Sequence, residues 1–515
     1  MPRFLGLRGN RLNVAAILGV LMPSIMSLGY FTSAFGGVLS VQSFEICFPE
    51  IDVKHAQNRS HASSLRGTVM ATFTIGVSLG TFSCIWLGDL MGRRRVILTG
   101  SITQIIGASL SASAYSLAQL IAARVIIGIG TGAVLATSPL WLSEISQANK
   151  RGSHVVTKGM FSGLGCAIAL FLEYGMSFTY GAKSWRVPFA CPVVFSVIVV
   201  GFILFLPESP RWLIRKTRIA EAAEILAALY DCRTDDGTIE ARIKEVQASL
   251  DLAGDKRSLL QIFHMGRQRT FHRAALAIAA LMFLQLTGAS VTTYYTTSIF
   301  EDSLGLDGKT SRLLAAVYQL VGPIGGLVSV FTIEGFGRRR LMLVSLLGNT
   351  ICLALVASLG SQAHNSMAQI GAVVFLFLYH FSYTLGFGGI PYLYATEIAP
   401  LHLRSTINSV SISISWAFSI LLANVTPIAF NSIGQKYFIV FASCNAAMIP
   451  TVYFFLPETS GRSLEEIDEI FTLSENALDA VPVARRLPHF SFHEGNELRS
   501  EKSPDSVFKQ KEIPV

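Results

Sequence analysis

Charge is what this chain has little of. Only 14% of its 515 residues are Asp, Glu, Lys or Arg, where a soluble protein carries about a quarter. That scarcity excludes the roughly three soluble domains that length alone would predict. Cysteine is sparse as well: Cys47, Cys84, Cys166, Cys191, Cys232, Cys352 and Cys444 are scattered and form no CxxC pair. Such spacing supports neither a disulfide framework nor a metal site, and in apolar runs a small buried thiol is the expected role. No nucleophile–base pair or phosphate loop stands out, so an enzyme is the least expected class and no cofactor is anticipated. GIGTGA at 128–133 lacks the third glycine of a dinucleotide fingerprint and lies in an apolar run rather than after a strand. The net charge of +8 comes from short clusters between apolar runs, such as GRRRV at 92–96 and GRRRL at 337–341. These predict the cytoplasmic side of a membrane protein rather than a nucleic-acid partner.

What is present is apolar sequence, 51% of the chain, with a mean hydropathy of +0.50. A bilayer core takes about 20 apolar residues per helix. Windows of that size fall near 12–40, 67–88, 96–117, 118–142, 156–176 and 187–206. They resume near 274–300, 314–333, 341–360, 369–392, 407–429 and 437–456. The expected fold is an all-α membrane protein of twelve helices in two pseudo-symmetric six-helix bundles. Its divisions are a first bundle at 1–206, a cytosolic helical linker at 207–272, a second bundle at 273–456 and a cytosolic tail at 457–515. Arg3, Arg8 and Arg11 precede a run too long for a signal peptide, so that run reads as the first membrane helix. RIAEAAEILAALYD (218–231) has helical apolar spacing, and SLEEIDEIF (463–471) predicts one more short helix. From about 474 the polar composition predicts disorder. With the arginine triplets inside, an even helix count puts both termini inside and the 43–66 loop outside. That loop carries Asn58-Arg59-Ser60, a glycosylation sequon.

The halves repeat. Asp89-Leu-Met-Gly92-Arg93-Arg94 matches Glu334-Gly-Phe-Gly337-Arg338-Arg339; PLWLSEI (139–145) matches PYLYATEI (391–398); PESPRW (207–212) matches PETSGR (457–462). Two homologous six-helix halves are the signature of a transporter with its site between them. The charges fall at the same helix ends in each half. In the first half they are Asp89, Arg93, Arg94, Glu144, Arg151, Glu208 and Arg211. In the second they are Glu334, Arg338, Arg339, Glu397, Arg404, Glu458 and Arg462. Charges at such depth need partners. They either fix topology by snorkelling or form a latch of ion pairs that closes the cytoplasmic side.

These motifs, with Arg124, Gly128, Gly130 and Gly132 in the fourth window and Arg151-Gly152 entering the fifth, resemble the sugar porter family of the major facilitator superfamily. Fungal hexose carriers are among its members. The resemblance runs from about 25 to 470. It implies alternating access, the latch reading, a small-molecule substrate and a carrier that works as a monomer in the bilayer, with the plasma membrane as default. Hexose carriers read Q-Q-L-S-G-x-N-x-x-x-Y-Y where this chain has Leu284, Gln285, Ser290, Tyr294 and Tyr295. The other family positions fall at Gly159, Gly322, Tyr392, Ser415, Trp416 and Ser419. The resemblance therefore assigns substrate contact to Gln285, Ser290, Tyr294, Tyr295, Tyr392, Ser415, Trp416 and Ser419. Amides have become Ser, Gly or Leu at several places. A net hydrogen bond contributes roughly 0.5–1.5 kcal/mol, so a hexose loses several kcal/mol unless Thr292, Thr293, His380, Tyr383 or Thr384 replaces those contacts.

Proton-driven members carry an acid in the first helix; here the motif is Gly29-Tyr30-Phe31, which predicts facilitated diffusion and leaves Arg124 without that partner. Glu173 is expected at a solvated outer rim, Lys158 snorkelling to the cytoplasmic mouth, and His380 packed and hydrogen-bonded. The expected function is a carrier for a sugar, polyol or related solute. The alternatives are a carrier for a non-sugar organic solute or specialised metabolite, or a nutrient sensor on a transporter fold.

Overall fold

The computed structural model describes residue 4 and residues 6–39, 41–53, 58–145, 151–234, 236–253, 269–303, 305, 307–362, 365–400, 403–462 and 464–487. Side chains at 85, 151–158, 245, 248–253, 302–303, 405 and 464–465 lie outside that description. Among the described residues, nine helical stretches are long and apolar enough to cross a membrane. One of these, Thr406–Phe455, is two helices parted by a 3₁₀ turn at Gly434–Lys436. Arg93–Ala112, diluted by its arginines and Ser, Thr and Gln, and the short Thr270–Leu286 complete the set.

In chain order they are α1 (Gly9–Val38), α2 (Arg59–Met91), α3 (Arg93–Ala112), α4 (Leu117–Ile145), α5 (Arg151–Met176) and α6 (Lys183–Ile203). The second six are α7 (Thr270–Leu286, resuming as Ala289–Tyr294), α8 (Gly308–Phe336), α9 (Arg338–Gly360), α10 (Ser366–Ile398), α11 (Arg404–Ile433) and α12 (Tyr437–Phe455). Helices are what these apolar runs must form, because lipid leaves no water for an unpaired backbone group. Gly92 (φ +88°) and Gly337 (φ +85°) each turn the chain from one helix into the next in a single residue, a conformation that side chains disfavour.

The two six-helix halves meet along α2 with α11 and along α5 with α8. At the end away from the arginine triplets, residues 42–51 fold back as Gln42–Cys47 and a 3₁₀ turn, Pro49–Ile51. Phe44 there packs edge-on against Trp185 at 5.6 Å and tilted against Phe48 at 4.9 Å. At the arginine end lie the linker helices Pro210–Arg215, Ile219–Tyr230 and Gly237–Ala253. Ile219–Tyr230 buries Ile225, Leu226 and Leu229 in the same cluster as Leu12 and Ile214. Arg8 closes that helix: it donates to the carbonyls of Ala227 (3.0 Å) and Cys232 (2.8 Å) and pairs with Asp231 at 3.4 Å.

The tail departs from the expected disorder. After Leu464–Leu473, a further helix forms at Ala480–Arg486 with Ala480, Val481 and Ala484 buried. Its end is capped from a distance: Arg462 donates to the carbonyls of Ala484 (2.5 Å) and Leu487 (3.0 Å). A seven-residue helix with two arginines shows no amphipathic signal of its own; packing and a remote cap make it. Residues 488–515 lie outside the described residues. Arg273, 1% exposed, ties this region together, pairing with Asp468 at 2.5 Å and donating from Nε to the carbonyl of Ile398 at 2.6 Å. Arg273→Met removes both contacts. It should cost about 1–3 kcal/mol, the range for a buried group left without its partner, read as a lowered Tm of the detergent-purified protein.

Candidate functional site

The stretch that joins the two parts of α7 is where the second half opens inward. Gly288 takes φ +94°, and the helix stops and restarts around Thr287–Gly288. The carbonyl released at Thr287 accepts from Tyr379 Oη (3.0 Å, α10) and Asn445 Nδ2 (3.1 Å, α12). That satisfies a group lipid would leave stranded. The break sets Gln285 and Ser290 side by side, and the Ser290 hydroxyl donates to Gln285 Oε1. Gln285 Nε2 donates to Ser415 Oγ at 3.1 Å, and Ser415 in turn donates to the Leu281 carbonyl at 2.9 Å. α10 breaks at the same depth, between Ser366–Gly386 and Ile390–Ile398.

Between the breaks lies a cavity of about 160 Å³ walled by both halves. Gln285, Ser290, Tyr294, Tyr392 and Trp416 line it, five of the eight residues assigned from the resemblance. The other three stand behind the wall. Ser415 anchors Gln285, Ser419 meets the Tyr294 hydroxyl at 2.9 Å, and Tyr295 donates to the Ala423 carbonyl at 2.9 Å. Ser415 and Ser419 thus brace lining residues directly, while Tyr295 ties the end of α7 to α11. Of the residues considered as replacements, Thr293, His380, Tyr383 and Thr384 line the cavity. Thr292 is buried and bonds back to Ala289 at 3.1 Å. Thr32, Ser162, Cys166 and Gln319 line it too, and sequence reading missed them. Gln319 was findable, since it lies one turn before Gly322 on the same face of α8. His380 corrects an expectation: it is packed, 4% exposed, yet among the described residues neither ring nitrogen has a hydrogen-bond partner.

Arg124 finds partners other than a carboxylate. It donates to the carbonyls of Val69 (3.0 Å) and Met70 (3.3 Å) of α2 and lies over the Phe35 ring at 3.9 Å. Phe31 shares the small recess beside it. Glu173 is not at a solvated rim: it is 3% exposed, and neither oxygen is hydrogen-bonded among the described residues. Its Oε2 sits where a Cβ at Gly37 would be, because α1 lies directly against α5 there. The charge of Arg312 on α8 acts on it. The side chain of Lys158 lies outside the described residues.

At the arginine end the sequence repeat is a structural repeat. Glu208 accepts from the backbone N–H groups of Arg93 (3.0 Å), Arg94 (3.1 Å) and Ser209 (2.8 Å). Glu458 accepts from those of Arg338 (2.8 Å), Arg339 (3.1 Å) and Thr459 (3.1 Å). Each carboxylate thus caps the positive end of α3 or α9. Burial pushes the Glu208 carboxyl up from its ordinary range, and the amides pull against that shift. Arg93 forks onto Glu144 (3.0 and 3.2 Å) and reaches Asp89 at 3.6 Å, while Asp89 also meets Arg215 at 2.6 Å. Arg338 pairs with Glu397 at 3.0 Å. Arg94 donates to the Ile203 and Leu204 carbonyls, and Arg339 to those of Val452 and Tyr453, closing α6 and α12. Trp141 and Tyr394 each donate to a motif proline carbonyl, Pro207 at 3.0 Å and Pro457 at 3.1 Å.

Among the described residues, these pairs join elements within one half, or that half and the linker helix Pro210–Arg215, and so stiffen it. Arg462 caps the tail helix instead of joining the cluster. Glu334 is exposed, its carbonyl accepting from Ser460 at 3.4 Å. Arg211 is exposed and Arg404 half-buried at helix starts; the side chain of Arg151 lies outside the described residues. Asn58 is exposed and caps α2 by accepting from the His61 N–H at 3.1 Å. A Cβ at Gly92 or Gly337 would lie 2.6 or 2.5 Å from a capping carboxylate oxygen. Gly92→Ala and Gly337→Ala should therefore each cost about 1–3 kcal/mol from backbone strain alone. A lowered Tm of the purified protein, of similar size for the two, is the expected reading.

Comparison with known proteins accords with this architecture. The family described as "Sugar (and other) transporter" matches residues 15–471. The sugar transporter STL1 of Saccharomyces cerevisiae is 31% identical over 495 residues, covering 95% of this chain and 86% of that protein. The MFS-type transporter oryC of Aspergillus oryzae is 32% identical over 499 residues, covering 94% and 91%. The inward-open xylose transporter XylE from E. coli superposes with a TM-score of 0.72 at 19% identity, covering 89% of this chain and 99% of that one, a likeness of fold. On the extent of the family match and its two six-helix halves, the chain belongs to the sugar transporter family of the major facilitator superfamily.

Proposed function

We propose that the chain moves a sugar, polyol or related hydroxylated solute by alternating access through the cavity between its halves. The observation that carries this reading is the cavity itself. It lies where α7 and α10 are both broken, and residues of α1, α5, α7, α8, α10 and α11 share it. Broken helices at the interface of two repeats are where transporters hold solute. Gln285, Ser290, Tyr294, Tyr392 and Trp416 contact the solute; Ser415 holds Gln285, Ser419 holds Tyr294, and Tyr295 ties α7 to α11. Trp416 offers a ring face for stacking. The arginine-rich end faces the cytoplasm with both termini, the membrane is the plasma membrane, and the protein works as a monomer. Asn58, on the opposite side, accepts glycan.

Labelled D-glucose, D-xylose and sorbitol, offered to cells lacking their own sugar carriers, test the reading. Uptake of at least one, above cells without the protein, is expected. Surface expression with uptake of none would sink it in favour of a non-sugar organic solute.

Transport is facilitative. Arg124, satisfied by two carbonyls and a ring, has no carboxylate to exchange a proton with among its described contacts. Initial uptake should therefore be unchanged by a protonophore, and equal at external pH 5 and 7.5 on the order of experimental scatter, since no carboxylate in that pair titrates. A collapse of uptake on adding the protonophore would refute this and direct attention to Glu173.

A further inference from the structure

The groups that wall the cavity are mostly committed elsewhere. Gln285 is held by Ser290 and Ser415, Gln319 donates to Thr296 Oγ1 at 3.4 Å, and the Thr384 hydroxyl bonds back to the His380 carbonyl at 2.9 Å. His380 differs. Its imidazole is 4% exposed and forms part of the cavity wall, and both nitrogens are buried with no hydrogen-bond partner among the described residues. Leaving such a group unmet in a buried site is unfavourable. The ring is held in place by stacking, with its centroid 4.4 Å from that of Tyr318 and 6.3 Å from that of Tyr383. Across from it, α8 carries Gly322. A Cβ there would lie 3.0 Å from His380 Nε2, so the absent side chain is what lets the imidazole occupy the cavity wall.

We propose that His380 is a specificity-determining residue, its imidazole exchanging a hydrogen bond with a solute hydroxyl at the wall it forms beside Gly322. An imidazole presents one donor and one acceptor, and a hydroxyl can meet either. The inference rests on the reading that the cavity carries a hydroxylated solute. It assigns to a helix 10 ring the work that an amide does elsewhere in such sites. A site that hydrogen-bonds a hydroxyl rejects the analogue lacking it far better than an apolar wall does.

The test uses the full-length protein in cells lacking their own sugar carriers, with labelled D-glucose, D-xylose and sorbitol and with surface expression measured in parallel. His380→Phe keeps the stacked ring and removes both nitrogens. It should raise KM roughly tenfold for the transported probe, the size of one lost hydrogen bond, with maximal rate per surface molecule little changed. His380→Gln restores a donor and an acceptor and should return KM to within about threefold of the original. Gly322→Ala, which leaves the imidazole but crowds it, should also raise KM and serves if His380→Phe does not reach the surface. An unchanged KM in His380→Phe, or in Gly322→Ala where the first fails to express, overturns the inference alone. If the unaltered protein moves none of the three probes, both the solute class and this role fall together.

Discussion

A bilayer offers no water to a polar group that loses its partner, and the rest of this structure is arranged around that constraint. A helix break inside the membrane strands a carbonyl. At Thr287 the break is possible because Tyr379 and Asn445, from two other helices, both donate to that carbonyl. The break turns Gln285 and Ser290 to one place and opens the wall of the cavity. Remove the donors and a continuous helix is the better solution, with no re-aimed side chains. The functional geometry therefore depends on residues that never face the solute.

Charges obey the same constraint at the arginine end. Glu208 and Glu458 meet backbone N–H groups at the start of α3 and α9, and Arg94 and Arg339 meet carbonyls at the end of α6 and α12. Each motif thus joins one helix start to one helix end within its half. Carboxylate to amide and guanidinium to carbonyl are charge-assisted contacts that reinforce the helix dipoles. These contacts stiffen each half, and rocking about a central site calls for stiff halves. Arg124 follows the rule by another route, settling on two carbonyls and a ring.

Much of this was legible in the sequence for a simple reason. Hydropathy along the chain is a local property, so the twelve windows, the paired motifs and the amphipathic linker helix could be read without knowing what touches what. The helix at Ala480–Arg486 could not, because it is completed by Arg462 from outside. Glu173 looked like a rim residue by position along α5; only its packing against Gly37 of α1 buries it. Motif matching grouped Tyr295, Ser415 and Ser419 with the cavity lining, and could not tell a residue that faces the space from one that props up its neighbour.

The sequence by itself determined that the chain is a membrane protein of two repeated six-helix halves, which family it resembles, and which of its charges needed partners. Those conclusions follow from composition, period and ordered repetition, all carried by neighbours along the chain. Only the tertiary structure decided which partners the charges took, that no described ion pair joins the two halves, and that His380 stands in the cavity wall with both nitrogens unpaired among the described residues. Such facts concern distances between helices far apart in sequence. Hydrogen bonds are made or lost within a few tenths of an ångström, a scale that no pattern along the chain encodes.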